Sequence, residues 1–323
     1  MDTKFYELIR NKVLDSITNK GSKGLLIWGF TEECIALLQE LYSLGLNENI
    51  VSIVDSKDSF EGITLYDFKV ISPLKLHEIQ YDTLVITSDK NKEEILKRFI
   101  EVDSRKPRII FAGISHMQFN DSVFYDIYES CIVKSYAGGY ENSLIHIYQS
   151  LKYLAINKIY GSIAEFGMFK GGTLLFTKKV LEYYCNNKYR YFGFDTFEGF
   201  PEKKSALDLY SYKKCEYKHY GDVKKAFQND FTIIKGDITE TYKVLENEPL
   251  AFTFFDTDNY SSAKAAIQLC YQNTVKGGII AFDHYITDEK YVETIGERIA
   301  AKEFFVDKNV LNLYGTGIFI KME

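Results

Sequence analysis

Short apolar runs alternate with longer amphipathic segments along the whole chain, and this alternation predicts its secondary structure. The apolar runs end at glycine, proline or charged residues, as buried strands do. Between them, apolar residues recur at every third or fourth position, which is the spacing of one helix face. A repeated strand–helix alternation predicts parallel sheets with helices on both faces, the α/β class.

The first third of the chain contains five such apolar runs. The predicted strands are 24–29, 50–54, 69–72, 83–88 and 108–113. Helices are predicted between them and at the N-terminus, where Phe5, Leu8, Ile9 and Val13 share one side. These elements predict a first α/β domain over residues 1–113.

A second series begins with a helix over residues 141–158. Five buried strands follow, at 162–165, 191–194, 231–235, 251–255 and 279–282. Two further segments, 304–306 and 316–321, are interpreted as an antiparallel pair that closes a seven-stranded sheet. We therefore expect a second α/β domain over residues 141–323.

Residues 114–140 lack the periodicity of either neighbour and are predicted to link the two domains. Adjacent glycines in Ser135–Tyr140 fit a plain linker, a hinge or a loop over a site. The irregular segment from Pro201 to about Asp222 is long enough for a binding loop. Its basic residues could meet a phosphate or face solvent; they include Lys203, Lys204, Lys213, Lys214, Lys218 and His219.

A glycine-rich turn joins the first strand of the second domain to its helix. Its spacing is E-x-G-x-x-x-G-G and includes Gly167 and Gly171, and the next strand ends at Asp195. Such a turn lets backbone N–H groups approach a ligand, while an acid at the second strand end can accept hydrogen bonds from ribose hydroxyls. This spacing is less suited to binding a pyrophosphate than the dinucleotide motif G-x-G-x-x-G is. It therefore favours a ligand that contains adenosine without phosphates.

Acidic residues follow the later strands of the same domain. Asp256 and Asp258 come directly after one strand, and Asp283 and His284 after the next. In an extended segment residues i and i+2 point to the same side, so two like charges would meet at the sheet edge where α/β sheets bind ligands. A divalent cation would relieve that repulsion. The alternative interpretation is acids that cap helices beside a surface histidine.

Four ordered runs give this part of the chain a family resemblance. IAEFGMFKGGT, FGFDTFEGFP, FFDTDNYSSAKAAI and KGGIIAFDHY resemble, in order and spacing, the macrocin O-methyltransferase family of S-adenosylmethionine enzymes. Relatives in that family methylate sugars and aminocoumarins. The resemblance covers about residues 140–323 and implies a seven-stranded class I methyltransferase sheet, which makes the fold class α/β with two Rossmann-like domains.

The resemblance also implies roles for individual residues. Cofactor contacts are expected from Glu165, Gly167, Gly171, Asp195, Thr196, Phe197, Asp237 and Asp256. A Gly-Asp turn explains Asp237 almost as well as an adenine contact does.

Metal binding is likewise implied by the resemblance, with Asp256, Asp283 and His284 as ligands. Asp258 is expected to remove the proton from the acceptor hydroxyl. The family usually carries a second aspartate in place of His284. Oxygen ligands suit Mg²⁺, which is therefore the expected ion. Because an imidazole favours Mn²⁺ and other transition metals, Mn²⁺ is the alternative. His284 could instead contact the acceptor or share the base role.

The first domain resembles degenerate Rossmann-like domains found beside sugar-modifying enzymes. Its turn keeps Gly29 of a dinucleotide motif but has Thr31 and Cys34 at the other glycine positions, and two glutamates would repel a pyrophosphate. A scaffold role and the binding of part of a nucleotide or sugar both remain open. Asp55 is interpreted first as a cap at a strand end and second as a ribose ligand.

Composition narrows the partners. A net charge of −6 gives no general attraction to nucleic acid or to an anionic membrane. No apolar run reaches the ~18 residues of a membrane span, so we expect a cytoplasmic protein. The five cysteines are scattered without C-x-x-C spacing and predict neither disulfides nor a zinc site. The oligomeric state stays open, and a homo-oligomer is compatible with the sequence.

Together these features predict a metal-dependent O-methyltransferase that uses S-adenosylmethionine. Its acceptor would be a hydroxyl of a sugar, nucleotide sugar or glycosylated small molecule in polysaccharide or natural-product biosynthesis. The alternative is a catalytically inactive nucleotide-binding or assembly module. An NAD-dependent sugar enzyme centred on Gly29 and Asp55 is disfavoured by the missing glycines.

Overall fold

The chain folds into two compact units, Met1–Asn120 and Asp121–Glu323. The division falls inside the segment predicted as a linker, 114–140. The computed structural model describes residues 3–113, 119–138, 143–185, 189–210, 219–286 and 289–323.

The first unit contains a six-stranded sheet in the order β3-β4-β2-β1-β5-β6. All neighbouring pairs are parallel except β3–β4, a short hairpin that the sequence did not predict. The strands are β1 Leu25–Trp28, β2 Ile50–Val54, β3 Thr64–Leu65, β4 Phe68–Ile71, β5 Thr83–Ile86 and β6 Arg108–Ile110.

Helices cover both faces of this sheet, as the sequence predicted. Apolar residues of α1 and α2 form one core with the sheet. A short 3₁₀ helix and α3 form the second core around Trp28. The helices are α1 Thr3–Thr18, α2 Glu32–Ser43, the 3₁₀ helix Pro73–Glu78 and α3 Lys92–Val102.

The second unit contains a seven-stranded sheet in the order β12-β13-β11-β10-β7-β8-β9. Five strands are parallel, and β13 and β12 are added antiparallel at one edge. This confirms the predicted seven-stranded methyltransferase sheet with an antiparallel pair at its edge. The strands are β7 Ser162–Phe166, β8 Tyr191–Asp195, β9 Thr232–Lys235, β10 Leu250–Phe255, β11 Thr274–Phe282, β12 Val310–Asn312 and β13 Ile318–Lys321.

Helices α4, α5 and α6 of this unit pack together, and α9 packs along α10. The predicted helix over 141–158 is α5; residues 141 and 142 lie outside the described part of the chain. The helices are α4 Ser122–Ser130, α5 Ser143–Ile156, α6 Gly172–Tyr184, α7 Tyr220–Phe227, α8 Ile238–Thr241, α9 Tyr260–Asn273 and α10 Ile295–Phe305.

Two predicted elements differ from the structure. Phe304 and Phe305 end α10 instead of forming a strand, because Phe305 stacks on Phe319 at 4.2 Å from the same helix face that buries Ala301. The strand beside β13 is β12 instead. The linker also contains a helix, α4, whose Phe124 packs against Phe176 of α6.

A row of four stacked phenylalanines crosses the middle of the second sheet. Phe194, Phe166, Phe255 and Phe282 occupy matching positions on neighbouring strands. Their ring centroids are 4.6, 4.9 and 4.9 Å apart along the row. All four side chains are buried. This row fixes the relative register of the four central strands.

The row predicts a large stability effect at its centre. Phe255→Ala should lower the free energy of unfolding by about 3 to 5 kcal/mol, the range for truncating a buried aromatic side chain. Urea denaturation of the full chain, followed by circular dichroism, measures this change. The exposed residue Val306 provides the control, and Val306→Ala should change stability by no more than about 0.5 kcal/mol. Equal denaturation midpoints for the two variants would show that the row does not support the sheet.

Candidate active site

The residues that follow the phenylalanine row form the carboxyl edge of the sheet. Gly167, Asp195, Asp256 and Asp283 each come directly after a member of the row. Because the four strands are in register, these residues emerge side by side. The sheet edge therefore brings together the glycine turn and three of the predicted acids.

The glycine turn packs closely on the neighbouring strand end. Gly167 has φ +93°, and a Cβ there would lie 1.9 Å from the carbonyl oxygen of Asp256. A side chain is therefore excluded at this position on two grounds, backbone conformation and space. Gly171 also has positive φ and begins α6 as its N-cap.

Asp195 connects the glycine turn to the segment that follows β8. Its carboxylate accepts hydrogen bonds from the backbone N–H of Phe169 at 2.8 Å and of Phe197 at 2.6 Å. Burial raises the pKa of the Asp195 carboxyl, against the effect of these donors. Carboxylate oxygens can accept further hydrogen bonds, so ribose hydroxyls remain compatible with this arrangement.

Asp55 makes the same pair of bonds in the first unit, to the backbone N–H of Phe30 at 2.7 Å and of Lys57 at 2.9 Å. The two units thus share one local design, in which an acid at a strand end caps a glycine turn. This geometry agrees with the first interpretation of Asp55.

A cavity of about 370 Å³ opens above the carboxyl edge of the second sheet. Eight of the predicted site residues line it: Gly167, Asp195, Thr196, Phe197, Asp256, Asp258, Asp283 and His284. Phe169, Phe200, Tyr210 and Ile238 supply apolar and aromatic wall. Its size and mixed lining are those of a small-molecule site.

Backbone strain concentrates around this cavity. Five non-glycine residues have positive φ in the described part of the chain, and Phe169, Phe197 and Asp258 among them line the cavity. Each such conformation costs of order 1–3 kcal/mol and persists where the surroundings enforce it, commonly at functional sites.

Glu165 lies inside β7, beneath the cavity. It is buried, and its Oε2 atom has no hydrogen-bond partner among the described residues. Burial, followed by the charges of Asp256, Asp195 and Asp283, raises the pKa of Glu165 well above its ordinary value. A buried carboxyl under these conditions favours its protonated form.

Asp237 does not stand at the cavity as the resemblance implied. Its carboxylate caps α8 through the N–H of Thr239 at 2.9 Å and pairs with Lys204 at 2.8 Å. The neighbouring Ile238 lines the cavity in its place. This arrangement agrees with the alternative interpretation of a Gly-Asp turn.

Three carboxylates converge on one ring nitrogen of His284. The Nε2 atom lies 2.8 Å from Asp258 Oδ1, 3.5 Å from Asp256 Oδ1 and 3.5 Å from Asp283 Oδ2. Burial lowers the pKa of the imidazole, but hydrogen bonds to Asp256 and Asp258 outweigh it and raise that pKa to about 12. The other ring nitrogen, Nδ1, is buried and has no hydrogen-bond partner among the described residues.

Burial and the neighbouring Asp283 carboxylate raise the pKa of Asp256 well above its ordinary value. Three carboxylates that are ionised together would carry more negative charge than the single imidazole can balance, and burial together with this repulsion is why the pKa of Asp256 is raised. Ligand atoms of Asp256, Asp258 and His284 lie within 4.8 Å of one another, close enough for a shared ion.

Two details of this cluster differ from the sequence argument. Asp258 is not extended; it has φ +59°, and this left-handed turn directs its carboxylate to His284. Asp283 also has structural partners, since it accepts hydrogen bonds from the backbone N–H of Gly138 at 3.0 Å and from the Ser143 hydroxyl.

Several residues of the cavity wall were not among the predicted site residues. Tyr136 and Gly138, from the segment interpreted as a linker, a hinge or a loop over a site, line the cavity, and Tyr136 packs edge-to-face on Phe169 at 5.4 Å. The adjacent glycines of 135–140 were the signal for a loop over the site. His219 also lines the cavity, whereas Lys204 is paired with Asp237; Lys213, Lys214 and Lys218 lie outside the described residues.

The loop after Pro201 is held against α9. Tyr210 exchanges two backbone hydrogen bonds with the Asn259 side chain, at 3.1 and 2.9 Å. Asp208 accepts from the N–H and the hydroxyl of Ser261, both at 2.8 Å. The loop residues Phe200 and Tyr210 are thereby fixed as one wall of the cavity.

The strand order and the edge site define a class I methyltransferase domain. Residues 139–321 match the family profile described as macrocin O-methyltransferase (TylF), and this is more than half of the chain. The chain belongs to the macrocin O-methyltransferase family and is an S-adenosylmethionine-dependent O-methyltransferase. Residues 21–110 match a second profile, described as C2185-like, N-terminal. Comparison with curated proteins gave no significant match.

The solved structures that resemble this chain include several methyltransferases. The O-methyltransferase NovP is 18% identical with a TM-score of 0.44, covering 55% of this chain and 78% of its own. The calicheamicin methyltransferase CalS11 is 17% identical with a TM-score of 0.46, covering 68% and 98%. The S-adenosylhomocysteine-bound methyltransferase PaMTH1 of Podospora anserina is 13% identical with a TM-score of 0.38, covering 66% and 100%.

In the described part of the chain, no helix has the length and apolar character to cross a membrane.

The close packing at Gly167 predicts that a methyl group there is harmful. Gly167→Ala should destabilise the fold by at least about 1–3 kcal/mol, because both the φ angle and the contact with Asp256 are unfavourable. S-adenosylhomocysteine binding, measured by calorimetry, should be lost or much weaker. Gly221 in α7 has open space around its Cβ position, so Gly221→Ala should be neutral or stabilising by up to about 1 kcal/mol. Wild-type stability and cofactor affinity in Gly167→Ala would contradict this account of the turn.

Proposed function

We propose that this chain transfers the methyl group of S-adenosylmethionine to a hydroxyl of a sugar or glycosylated small molecule, with a divalent metal ion at the acid cluster. The observation that carries the proposal is the convergence of three carboxylate oxygens on His284 Nε2. A cation bound beside that nitrogen would balance the excess charge of the carboxylates. It lies in the wall of the same cavity as the glycine turn.

The cofactor fits the turn side of the cavity. Asp195 would accept hydrogen bonds from the ribose hydroxyls, and Phe197 and Ile238 would flank the adenine. Gly167 leaves the backbone open to the methionine part. The cofactor supplies a sulfonium methyl group, and the enzyme must align that group with the acceptor oxygen for in-line displacement.

The donor set of the cluster also fits a divalent ion. Carboxylate oxygens suit Mg²⁺ and Mn²⁺, and the imidazole adds preference for Mn²⁺. We assign Asp256, Asp283 and His284 as ligands. A metal ion here would lower the pKa of the acceptor hydroxyl and orient its neighbouring oxygens.

Asp258 is proposed as the base that takes the proton from the acceptor hydroxyl. It lines the cavity, and its left-handed backbone conformation holds its carboxylate at the cluster. When the hydroxyl oxygen attacks the methyl carbon, its proton passes to Asp258 and the cofactor leaves as neutral S-adenosylhomocysteine. The enzyme thus needs alignment, a polarised hydroxyl and one acceptor for the proton.

Aromatic walls and polar ends of the cavity support a sugar acceptor. Phe200, Tyr210 and Tyr291 present ring surfaces, against which the apolar face of a sugar ring can pack. The acid cluster faces the same space and can receive neighbouring hydroxyls. This proposal follows the activity that gives the family its description.

A second candidate is the same methyl transfer without a metal ion. The observation that favours it is the direct 2.8 Å contact between His284 Nε2 and Asp258. In that mechanism the imidazole supplies the positive charge of the cluster, and the His284–Asp258 pair accepts the proton. Metal removal distinguishes the two candidates.

The ribose assignment predicts a specific loss of cofactor affinity. Asp195→Asn should weaken S-adenosylmethionine binding by about 1.5 to 3 kcal/mol, the range for hydrogen bonds to a charged group. Calorimetry measures the affinity. Asp55→Asn is the matched control, because Asp55 caps the equivalent turn of the first unit with the same two bonds. If both variants bind the cofactor like wild type, Asp195 does not hold the ribose.

The metal proposal predicts that EDTA abolishes turnover and that Mg²⁺ or Mn²⁺ restores it. Asp256→Asn should weaken metal binding, so excess metal should recover part of the activity. Asp258→Asn should keep metal and cofactor affinity but lower kcat by about 10² to 10⁴, the usual contribution of a positioned base. Added metal should not rescue it.

Full turnover in EDTA would reject the metal and favour the metal-free mechanism. Loss of metal affinity in Asp258→Asn, with unchanged affinity in Asp283→Asn, would move Asp258 from the base role to the ligand set.

A further inference from the structure

A buried glutamate in α10 joins the two segments that carry the acid cluster. Glu297 is 0% exposed. Its Oε2 atom accepts hydrogen bonds from the backbone N–H and the hydroxyl of Thr257, both at 2.8 Å. Its Oε1 atom accepts from the backbone N–H of His284 at 3.1 Å. One carboxylate therefore receives three donors from two different loops.

These donors belong to the centre of the site. Thr257 stands between Asp256 and Asp258, and His284 follows Asp283. The two segments follow the neighbouring strands β10 and β11. The pairing of these strands ends at Phe255 and Phe282, directly before the two segments begin. Beyond the end of the sheet, the Glu297 carboxylate connects the two segments through its hydrogen bonds to Thr257 and His284.

The helix that carries Glu297 is itself firmly placed. Gly296 allows α10 to pack closely on the loop backbone at Leu207, because a Cβ at position 296 would lie 2.3 Å from the Leu207 carbonyl oxygen. Residues Ala300, Ala301 and Phe305 of the same helix are buried in the core that contains the phenylalanine row. The carboxylate thus extends from a packed element to two irregular segments.

Burying an acid is costly, and it raises the pKa of the Glu297 carboxyl to about 7. An apolar side chain would avoid that cost but would leave buried N–H groups without acceptors. A glutamine has one acceptor oxygen and one NH₂ group, so it would face at least one of the loops with a donor. A carboxylate satisfies all three donors at this position.

We propose that Glu297 is a positioning residue of the methyl-transfer site, which holds the Asp256–Asp258 segment and the Asp283–His284 segment at the spacing that forms the acid cluster. Its effect on metal binding rests on the proposed function. Its effect on the two loops does not, and the two can be measured separately.

The test compares Glu297→Gln with wild type in the full chain. Deuterium exchange should become faster in the peptides containing Thr257 and His284, because at least one loop loses its acceptor. Mn²⁺ affinity, measured by the electron paramagnetic resonance of free Mn²⁺, should fall about 10- to 100-fold, the usual effect of residues that orient metal ligands. S-adenosylhomocysteine affinity should stay close to wild type, since the glycine turn and Asp195 are unchanged.

Glu303→Gln is the matched control on the same helix. Glu303 is an exposed partner of Lys264 and Tyr260, each at 2.8 Å, so its loss should alter neither exchange at the two loops nor Mn²⁺ affinity. If Glu297→Gln does not fold, Thr257→Val tests the same contact. It removes only the hydroxyl donor and leaves the two backbone N–H donors in place, so it should lower Mn²⁺ affinity, but by less than the about 10- to 100-fold expected for Glu297→Gln.

The outcomes separate the two claims. A wild-type protein that binds no Mn²⁺ overturns the metal proposal, while faster exchange in Glu297→Gln still supports the positioning role. Unchanged exchange at both loops, with the variant folded, overturns the positioning role whatever the metal result. Unchanged Mn²⁺ affinity in Glu297→Gln, beside a wild type that binds the ion, overturns it as well.

Discussion

The stacking of four phenylalanine rings across the central strands is the interaction on which the site depends. Phe194, Phe166, Phe255 and Phe282 hold four strands in one register, and the next residue of each strand stands at the sheet edge. A slip of one residue in any strand would turn its rings to the other face and move an acid away from the edge. The apolar core thus determines where the polar chemistry lies, and the glycine turn can approach Asp256 only in this register.

The site above the row combines strain and charge that the core must support. Left-handed backbone at Phe169, Phe197 and Asp258, and carboxylates crowded around His284, are each unfavourable in isolation. They persist because packed elements hold them on both sides. Two hydrogen bonds fix the Asp195 turn, and the Glu297 carboxylate spans the two acidic segments. Such preorganisation suits methyl transfer, which requires the acceptor oxygen and the sulfonium methyl group to be held in line.

Much of the fold and part of the site could be predicted from the sequence because they depend on patterns of neighbouring residues. Short apolar runs gave the central strands, and an acid directly after phenylalanine marks Asp195, Asp256 and Asp283. Contacts between distant elements carried no such signal. Glu297 is a single residue in an ordinary helix, Tyr136 lies in an irregular segment, and Asp237 is occupied by Lys204 from another loop. Phe304 and Phe305 have strand propensity, but packing against Phe319 places them in a helix.

The proposed function requires the carboxyl edge of the second sheet to hold cofactor and metal side by side. Anomalous diffraction at the manganese edge, from crystals of the full chain soaked with Mn²⁺ and S-adenosylhomocysteine, tests it most directly. We expect one manganese peak in bonding contact with Asp256, Asp283 and His284, and the nucleoside ribose hydrogen-bonded to Asp195. A bound cofactor without a manganese peak would leave the metal-free mechanism. Cofactor or metal bound away from this edge would show that the active site lies elsewhere.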